Sequence, residues 1–181
     1  MTELSPEIRR RLLRVARESL TGALRDGKIP SPPAGSDDPP APRNAFVTLT
    51  RAGHLRGCTG TLSAERTLTP TIAELAVSSA MRDPRFPPMR PEELTDTEIE
   101  ISVLSDPVES RPEDVEIGRH GVIVERGFRR ALLLPQVAIE HRLNREQLLD
   151  AVCEKAGLSP HSWREQGTRV LTFTAEVFSE E

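Results

Sequence analysis

The chain has 181 residues, 36% apolar and 29% charged, with a formal net charge of −4. A chain of this length buries a core without help from disulfides or metals, and its acidic balance speaks against a nucleic-acid partner, which asks for a basic face. No run of residues reaches membrane-spanning length, and two cysteines with four scattered histidines match no zinc spacing.

Charges from Glu3 and Arg9 onward are unlike a signal peptide, so a reduced, cytoplasmic setting is the expectation for Cys58 and Cys153. Residues 5–26 read as an amphipathic helix. Ser5 caps it, Pro6 takes the first helical position, and Ile8, Leu12, Val15, Ala16, Leu20 and Leu24 recur at helical spacing. Gly27 ends it. The proline-rich stretch 29–43 cannot continue a helix or a central strand. It reads as an exposed loop whose residues 31–42 are dispensable for folding, since they hold no apolar periodicity.

Residues 45–51 alternate, with Ala45, Val47 and Leu49 on one face and Phe46, Thr48 and Thr50 on the other, as in a strand. A turn at Ala52-Gly53-His54 returns the chain as a hairpin partner over 55–59. Thr69 and Pro70 then open a helix with a small-residue face at Ile72, Leu75, Ala76, Ser79 and Ala80. Pro84 stops it, and three prolines stiffen the run Arg82-Asp83-Pro84-Arg85-Phe86-Pro87-Pro88-Met89. Residues 98–104 form another strand, with Ile99, Ile101 and Val103 facing in and Glu98 and Glu100 facing out. Residues 105–117 read as loop with one helical turn near Pro112.

A second hairpin pairs 121–125 with 128–134 across Arg126-Gly127, and Pro135 opens a short helix. Asn144 with Gln147 predicts a capping box on a helix whose apolar face includes Leu148, Leu149, Val152 and Cys153, closed by Gly157. Cys153 is therefore core. One last strand is expected over 170–178, with Leu171, Phe173, Ala175 and Val177 turned inward. Each hairpin is followed by a helix with a proline at its start. Hairpins with intervening helices indicate an α+β fold around a largely antiparallel sheet.

The chemistry concentrates in Leu55-Arg56-Gly57-Cys58-Thr59-Gly60-Thr61. Cys58 offers a nucleophile where its surroundings favour the thiolate. Arg56 offers a planar fork for carboxylate or phosphate, with Arg85 a second cation for a cleft. Gly57 and Gly60 let backbone N–H groups approach a ligand. A buried structural cysteine on a glycine-softened strand explains the same residues.

Six segments in register resemble the AMMECR domain family, whose bacterial members are called AmmeMemoRadiSam system protein A. They are Asn44–Leu49, Leu55–Gly60, Arg82–Pro88, Ile101–Leu104, Gly118–Gly121 and Leu133–Ala138. The family hallmark LRGCIG is met except at Thr59. The resemblance implies a single domain over 1–181 with a larger part built from both chain ends and a smaller middle part, and a cleft lined by the hallmark residues. It implies partnership with a Memo-type protein and a radical SAM enzyme; it names no cofactor and no defined activity. Two readings follow. In the first, Cys58 is the nucleophile of an enzyme or catalytic subunit. Arg56 then holds a small anionic substrate, His120 is the base or orienting group, and Gly57 and Gly60 donate to an oxyanion. In the second, the same pocket belongs to a non-catalytic module that binds a small anion or a partner protein.

Overall fold

A computed structural model describes residues 3–28, 32–35 and 37–180. The chain folds as two compact units. Residues 1–103 join 176–181 in the first, and 104–175 form the second, so the larger unit is built from both chain ends.

In the first unit, helix α1 (Pro6–Asp26) opens with the Ser5 hydroxyl accepting the Ile8 N–H and closes on Gly27 at φ 63°. Strands β1 (Ala45–Arg51) and β2 (His54–Thr61) make the hairpin, followed by α2 (Leu68–Met81) and β3 (Thr97–Leu104). The last strand of this unit, β8 (Ala175–Ser179), completes an antiparallel-rich sheet in the order β2-β1-β3-β8. Alternation works as the sequence implies: Ala45, Val47, Leu49, Ile99, Ile101 and Val103 are fully buried. They pack with Leu12, Ala16 and Leu20 of α1 and Leu68, Ile72 and Ala76 of α2 in one cluster. Charged bonds sew the C-terminal end to this unit. The Glu176 carboxylate accepts from Leu4 N and pairs with Arg9 at 2.7 Å. Arg17 bonds Glu180 and donates to the carbonyls of Leu94 (3.0 Å) and Thr97 (2.6 Å).

The second unit contains β4 (Val108–Glu109), β5 (Gly121–Arg126), β6 (Arg129–Leu133), α3 (Pro135–Glu140), α4 (Arg145–Lys155) and β7 (Arg169–Phe173). Its sheet runs β4-β7-β5-β6. Val122, Val124 and Val170 pack with Leu148, Leu149, Val152 and Cys153, and the capping box at Asn144 and Gln147 is present. Each unit repeats one arrangement. The second hairpin strand lies at the edge, the first beside it, and the strand after the helical segment follows.

Four expectations need correction. Helix α2 begins at Leu68 with Thr67 as N-cap, so Pro70 lies inside its first turn, where a missing N–H costs nothing. The 105–117 loop holds the short strand β4 beside its 3-10 turn at Pro112–Asp114. The single last strand is two: the chain leaves one sheet after Phe173 and enters the other at Ala175, while Thr174 N donates to the Ser105 hydroxyl. Alternation is broken there, so Val177 is exposed and Phe178 packs against the first core instead.

The fourth concerns the proline-rich loop. Residues 29–31 and 36 lie outside the described residues, and most of the others are exposed or half-buried. Asp38 is different, with a side chain only 2% exposed. Its carboxylate accepts from Arg11 Nη2 (2.7 Å), Thr69 N (3.0 Å), Thr69 Oγ1 (2.8 Å) and Gly35 N (3.2 Å). Thr69 N is one of the four amides at the start of α2 that the helix itself leaves unbonded, so the loop caps α2 from a distance. Burial opposes the charge on Asp38, and the bonds from Arg11 and Thr69 outweigh it, holding its carboxyl below the usual range. The loop is tethered, and composition alone did not show it.

Candidate functional site

The Cys58 segment lies on β2, an edge strand of the first unit. Leu49 pairs with Gly57 and Thr50 with Leu55, so Arg56 is the extra residue of a β-bulge. A bulge redirects the side chain it carries. Here the Arg56 fork takes Glu93 in two bonds, Nε–Oε1 at 2.7 Å and Nη2–Oε2 at 3.1 Å. Nη2 also donates to the Pro87 carbonyl at 3.1 Å. The remaining nitrogen, Nη1, is buried without an acceptor, and the Phe86 ring lies 5.9 Å from Cζ. Arg56 was expected to present an open fork to a ligand. Its fork instead holds a carboxylate of its own chain.

The two glycines serve close packing. A Cβ on Gly57 would stand 2.0 Å from the Ser79 carbonyl of α2, and one on Gly60 would stand 2.2 Å from the Phe46 ring. Thr59, the departure from the hallmark, points to the α2 side. Its N–H donates to the Ser79 hydroxyl (2.9 Å), its Oγ1 donates to the Leu75 carbonyl (3.3 Å), and Ser79 Oγ donates to the Val47 carbonyl (2.8 Å). The polar residue is therefore matched by a polar partner on the helix.

Cys58 takes the opposite face, the one that carries Thr48 and Glu100. Register places Cys58, Thr48 and Glu100 side by side across β2, β1 and β3. The thiol is half-buried and free, and Thr48 Oγ1 donates to Sγ at 3.3 Å. Its backbone is held on both sides. Cys58 N donates to Asp83 Oδ2 at 2.8 Å, and the Cys58 carbonyl accepts from Arg85 Nη2 at 3.3 Å. Asp83, with a side chain 3% exposed, also accepts from Arg85 N, Nε and Nη2. Those bonds from Arg85, against the cost of burial, keep its carboxyl well below the usual range. Thr59 N turns inward, where the Ser79 hydroxyl bridges it to the Val47 carbonyl, while Cys58 N on the outer side is occupied by Asp83, which protects that edge from pairing with another chain. Arg85 remains 55% exposed.

His120 belongs to the second unit, where its Nδ1 accepts the Glu116 N–H at 3.1 Å. A neutral imidazole with Nδ1 so engaged carries its proton on Nε2, so a base role requires that bond to be given up. Cys153 is fully buried, and burial pushes its thiol up. Sequence reasoning quoted Asp83 without giving it a role and passed over Glu93. The signals were local: Asp83-Pro84 is a turn-forming pair. Pro91 with Glu93 opens a 3-10 helix (Pro91–Asp96) in which the Glu93 carboxylate accepts the Arg90 N–H at 2.8 Å. Among the described residues no group of three or more His, Cys, Asp or Glu is placed to hold a metal ion.

These ion pairs predict an acid-sensitive first unit. The Arg56 bonds, against burial, lower the Glu93 carboxyl from 4.5 to about 2. A carboxyl that is more acidic folded than unfolded adds stability above its unfolded value and loses it as pH falls toward its folded one. Urea midpoints should therefore be flat near neutrality and fall between pH 4.5 and 2. Glu93→Gln should flatten part of that fall; an unchanged slope would separate Glu93 from acid stability.

The chain matches the family model described as AMMECR1 over residues 13–178. It is 42% identical to a protein of Methanosarcina acetivorans over 93% of this chain and 89% of that one. It is 42% identical to a protein of Methanothermobacter thermautotrophicus over 98% and 97%. The crystal structure of uncharacterized protein PH0010 from Pyrococcus horikoshii superposes with a TM-score of 0.89 at 39% identity, covering 98% of this chain and 94% of that one.

Proposed function

The chain belongs to the AMMECR1 family, and from that premise we propose that Cys58 is the working thiol of a site for a small anionic substrate, with Arg85 as the cation beside it. The observation that carries this reading is the placement of one residue. A half-exposed free thiol on the sheet face opposite Val47 and Leu49 has its sulfur bonded by the Thr48 hydroxyl, and its carbonyl is bonded by a guanidinium that stays half in solvent. The hydroxyl and the guanidinium put a hydrogen-bond donor on the sulfur and a cation beside its backbone, where an anionic substrate can be held. Arg85 replaces Arg56 in the substrate-holding role, because Glu93 already occupies the Arg56 fork.

The same geometry limits the chemistry. In acyl transfer the amide at or next to the nucleophile commonly helps to hold the oxyanion. Here Cys58 N is bonded to Asp83 and Thr59 N to Ser79, which favours thiolate addition or exchange over acyl transfer. Work alongside a Memo-type protein and a radical SAM enzyme belongs to this reading through family membership alone.

Competitive alkylation tests it. Iodoacetamide should label Cys58 in the folded protein at least about tenfold faster than Cys153, whose thiol is fully buried. Negatively charged iodoacetate should gain on iodoacetamide at Cys58, relative to the unfolded chain, and Arg85→Gln should remove that gain. His120→Ala, run beside it, assigns the imidazole to the thiol if the pH midpoint of labelling rises and removes it from the site if the midpoint stays. A Cys58 that reacts only after denaturation leaves a non-catalytic binding module as the reading.

A further inference from the structure

Among the described residues, Arg11 finds acidic partners only in the proline-rich loop: Asp38 at 2.7 Å and Asp37 at 3.0 Å. Its other bonded neighbour is Thr69, whose hydroxyl accepts from Nη1 at 2.6 Å and donates to Asp38 at 2.8 Å. Arg11 and the start of α2 thus make a socket of a guanidinium, a hydroxyl and a backbone amide, and a carboxylate only 2% exposed fills it. The helix does not supply that carboxylate. Its N-cap residue, Thr67, makes no side-chain bond to the helix, and no acidic residue stands in its first turn. The loop lies flat on the guanidinium, for a Cβ on Gly35 would stand 1.8 Å from Arg11 Nη1. Little else holds it there. Of residues 32–35 and 37–42, only Asp37 and Asp38 bond to the rest of the first unit, and none joins its apolar core. A strap with one ionic anchor and no buried apolar group leaves by breaking that anchor alone. What it uncovers is a cation with no acid beside it, next to a helix start that favours anions.

We propose that Arg11, Thr69 and the start of α2 form a carboxylate-binding socket that the 32–42 strap holds shut with Asp38, and that a carboxylate-bearing ligand binds there by displacing the strap. The resident group gives the ligand class, because donors meet both of its oxygens. Arg11 and the Thr69 hydroxyl reach Oδ1, and the amides of Thr69 and Gly35 reach Oδ2. The strap must leave before the ligand enters, so the parent's affinity is reduced by the fraction of time the socket is open. No atom of the socket belongs to the Cys58 site, so the two can fail separately.

Asp38→Ala vacates the socket, and acetate titrated into the isotopically labelled full chain carrying it should give saturable NMR shifts at the Thr69 amide. Acetamide, which lacks the charge, should bind at least about fivefold more weakly. The parent should bind acetate at least about tenfold more weakly than Asp38→Ala does. Adding Arg11→Gln to Asp38→Ala should weaken acetate about fivefold or more, while adding Arg14→Gln, an exposed cation of the same helix, should not change it. Asp38→Asn, which keeps an oxygen for Thr69 N but no charge for Arg11, serves in place of Asp38→Ala if that variant does not fold. A synthetic peptide of residues 32–42 separates two sources of the carboxylate. Tighter binding of the peptide than of acetate assigns the socket to an acidic protein segment, and weaker binding assigns it to a small acid. Equal binding of acetate and acetamide, no saturable shift at Thr69, a parent that binds acetate as tightly as Asp38→Ala, or an unchanged affinity on adding Arg11→Gln would each overturn the proposal.

Discussion

Asp38→Ala should lower stability by about 3 kcal/mol, the usual cost of removing one partner from a buried ion pair. For a chain of this size that is a fall in Tm of roughly 6–12 °C. The loss has two sources. Arg11, with a side chain 18% exposed, keeps its charge but loses the 2.7 Å bond to Asp38. Thr69 N and Oγ1 lose their acceptor at the start of α2. Asp37→Ala is the control. Its carboxylate also reaches Arg11, at 3.0 Å, but is 47% exposed, so its loss should cost less than about 1 kcal/mol. The comparison also tests the tether itself. If Asp38→Ala and Asp37→Ala unfold at the same temperature, the loop does not cap α2, and 31–42 is as dispensable as its composition suggests.

Gly57→Ala should cost about 3 kcal/mol or more, at the upper end of what an added methyl does in a packed core. The new Cβ would meet the Ser79 carbonyl at 2.0 Å and its carbon at 3.0 Å, and both atoms belong to the backbone of α2. No side-chain rotation relieves that contact; strand and helix must separate. Separation would strain the bonds from Thr59 to Ser79 and Leu75. Gly60→Ala makes a similarly short contact, but with the ring of Phe46, a half-buried side chain that can rotate, not with backbone. Its cost should be nearer 1 kcal/mol. Urea denaturation of both variants decides. Equal midpoints would show that β2 does not rest on α2 through Gly57.

Both results turn on contacts between residues far apart in the chain. What the sequence settles by itself is local. The stripe from Ile8 to Leu24, the Ser5 cap and Gly27 stop, the alternation of Ala45, Val47 and Leu49, and the Asn144–Gln147 box each depend on neighbours within a few residues. Periodicity and capping are properties of short windows, so these elements and the α+β class were legible. The family was legible for a related reason, since its motifs are short runs held in order.

The pairing of charges was not. Arg56 and Glu93 are 37 residues apart and Asp38 and Thr69 are 31, and nothing in either window announces the other. A guanidinium beside two glycines reads as an open anion site until the bulge in β2 turns it onto Glu93. Arg85 reads as a second cleft cation, but only the folded chain shows that Asp83 holds it over the carbonyl of Cys58. The last strand shows the same division. Residues 170–178 have strand character throughout, but strand character does not say which sheet. The break at Thr174 is decided by its exchange with Ser105, Thr174 N to Ser105 Oγ and Ser105 N to the Thr174 carbonyl, each at 2.9 Å. Sequence fixes what each segment prefers to be; only the folded chain decides which distant group satisfies each charge and each backbone amide, because that choice is made by packing.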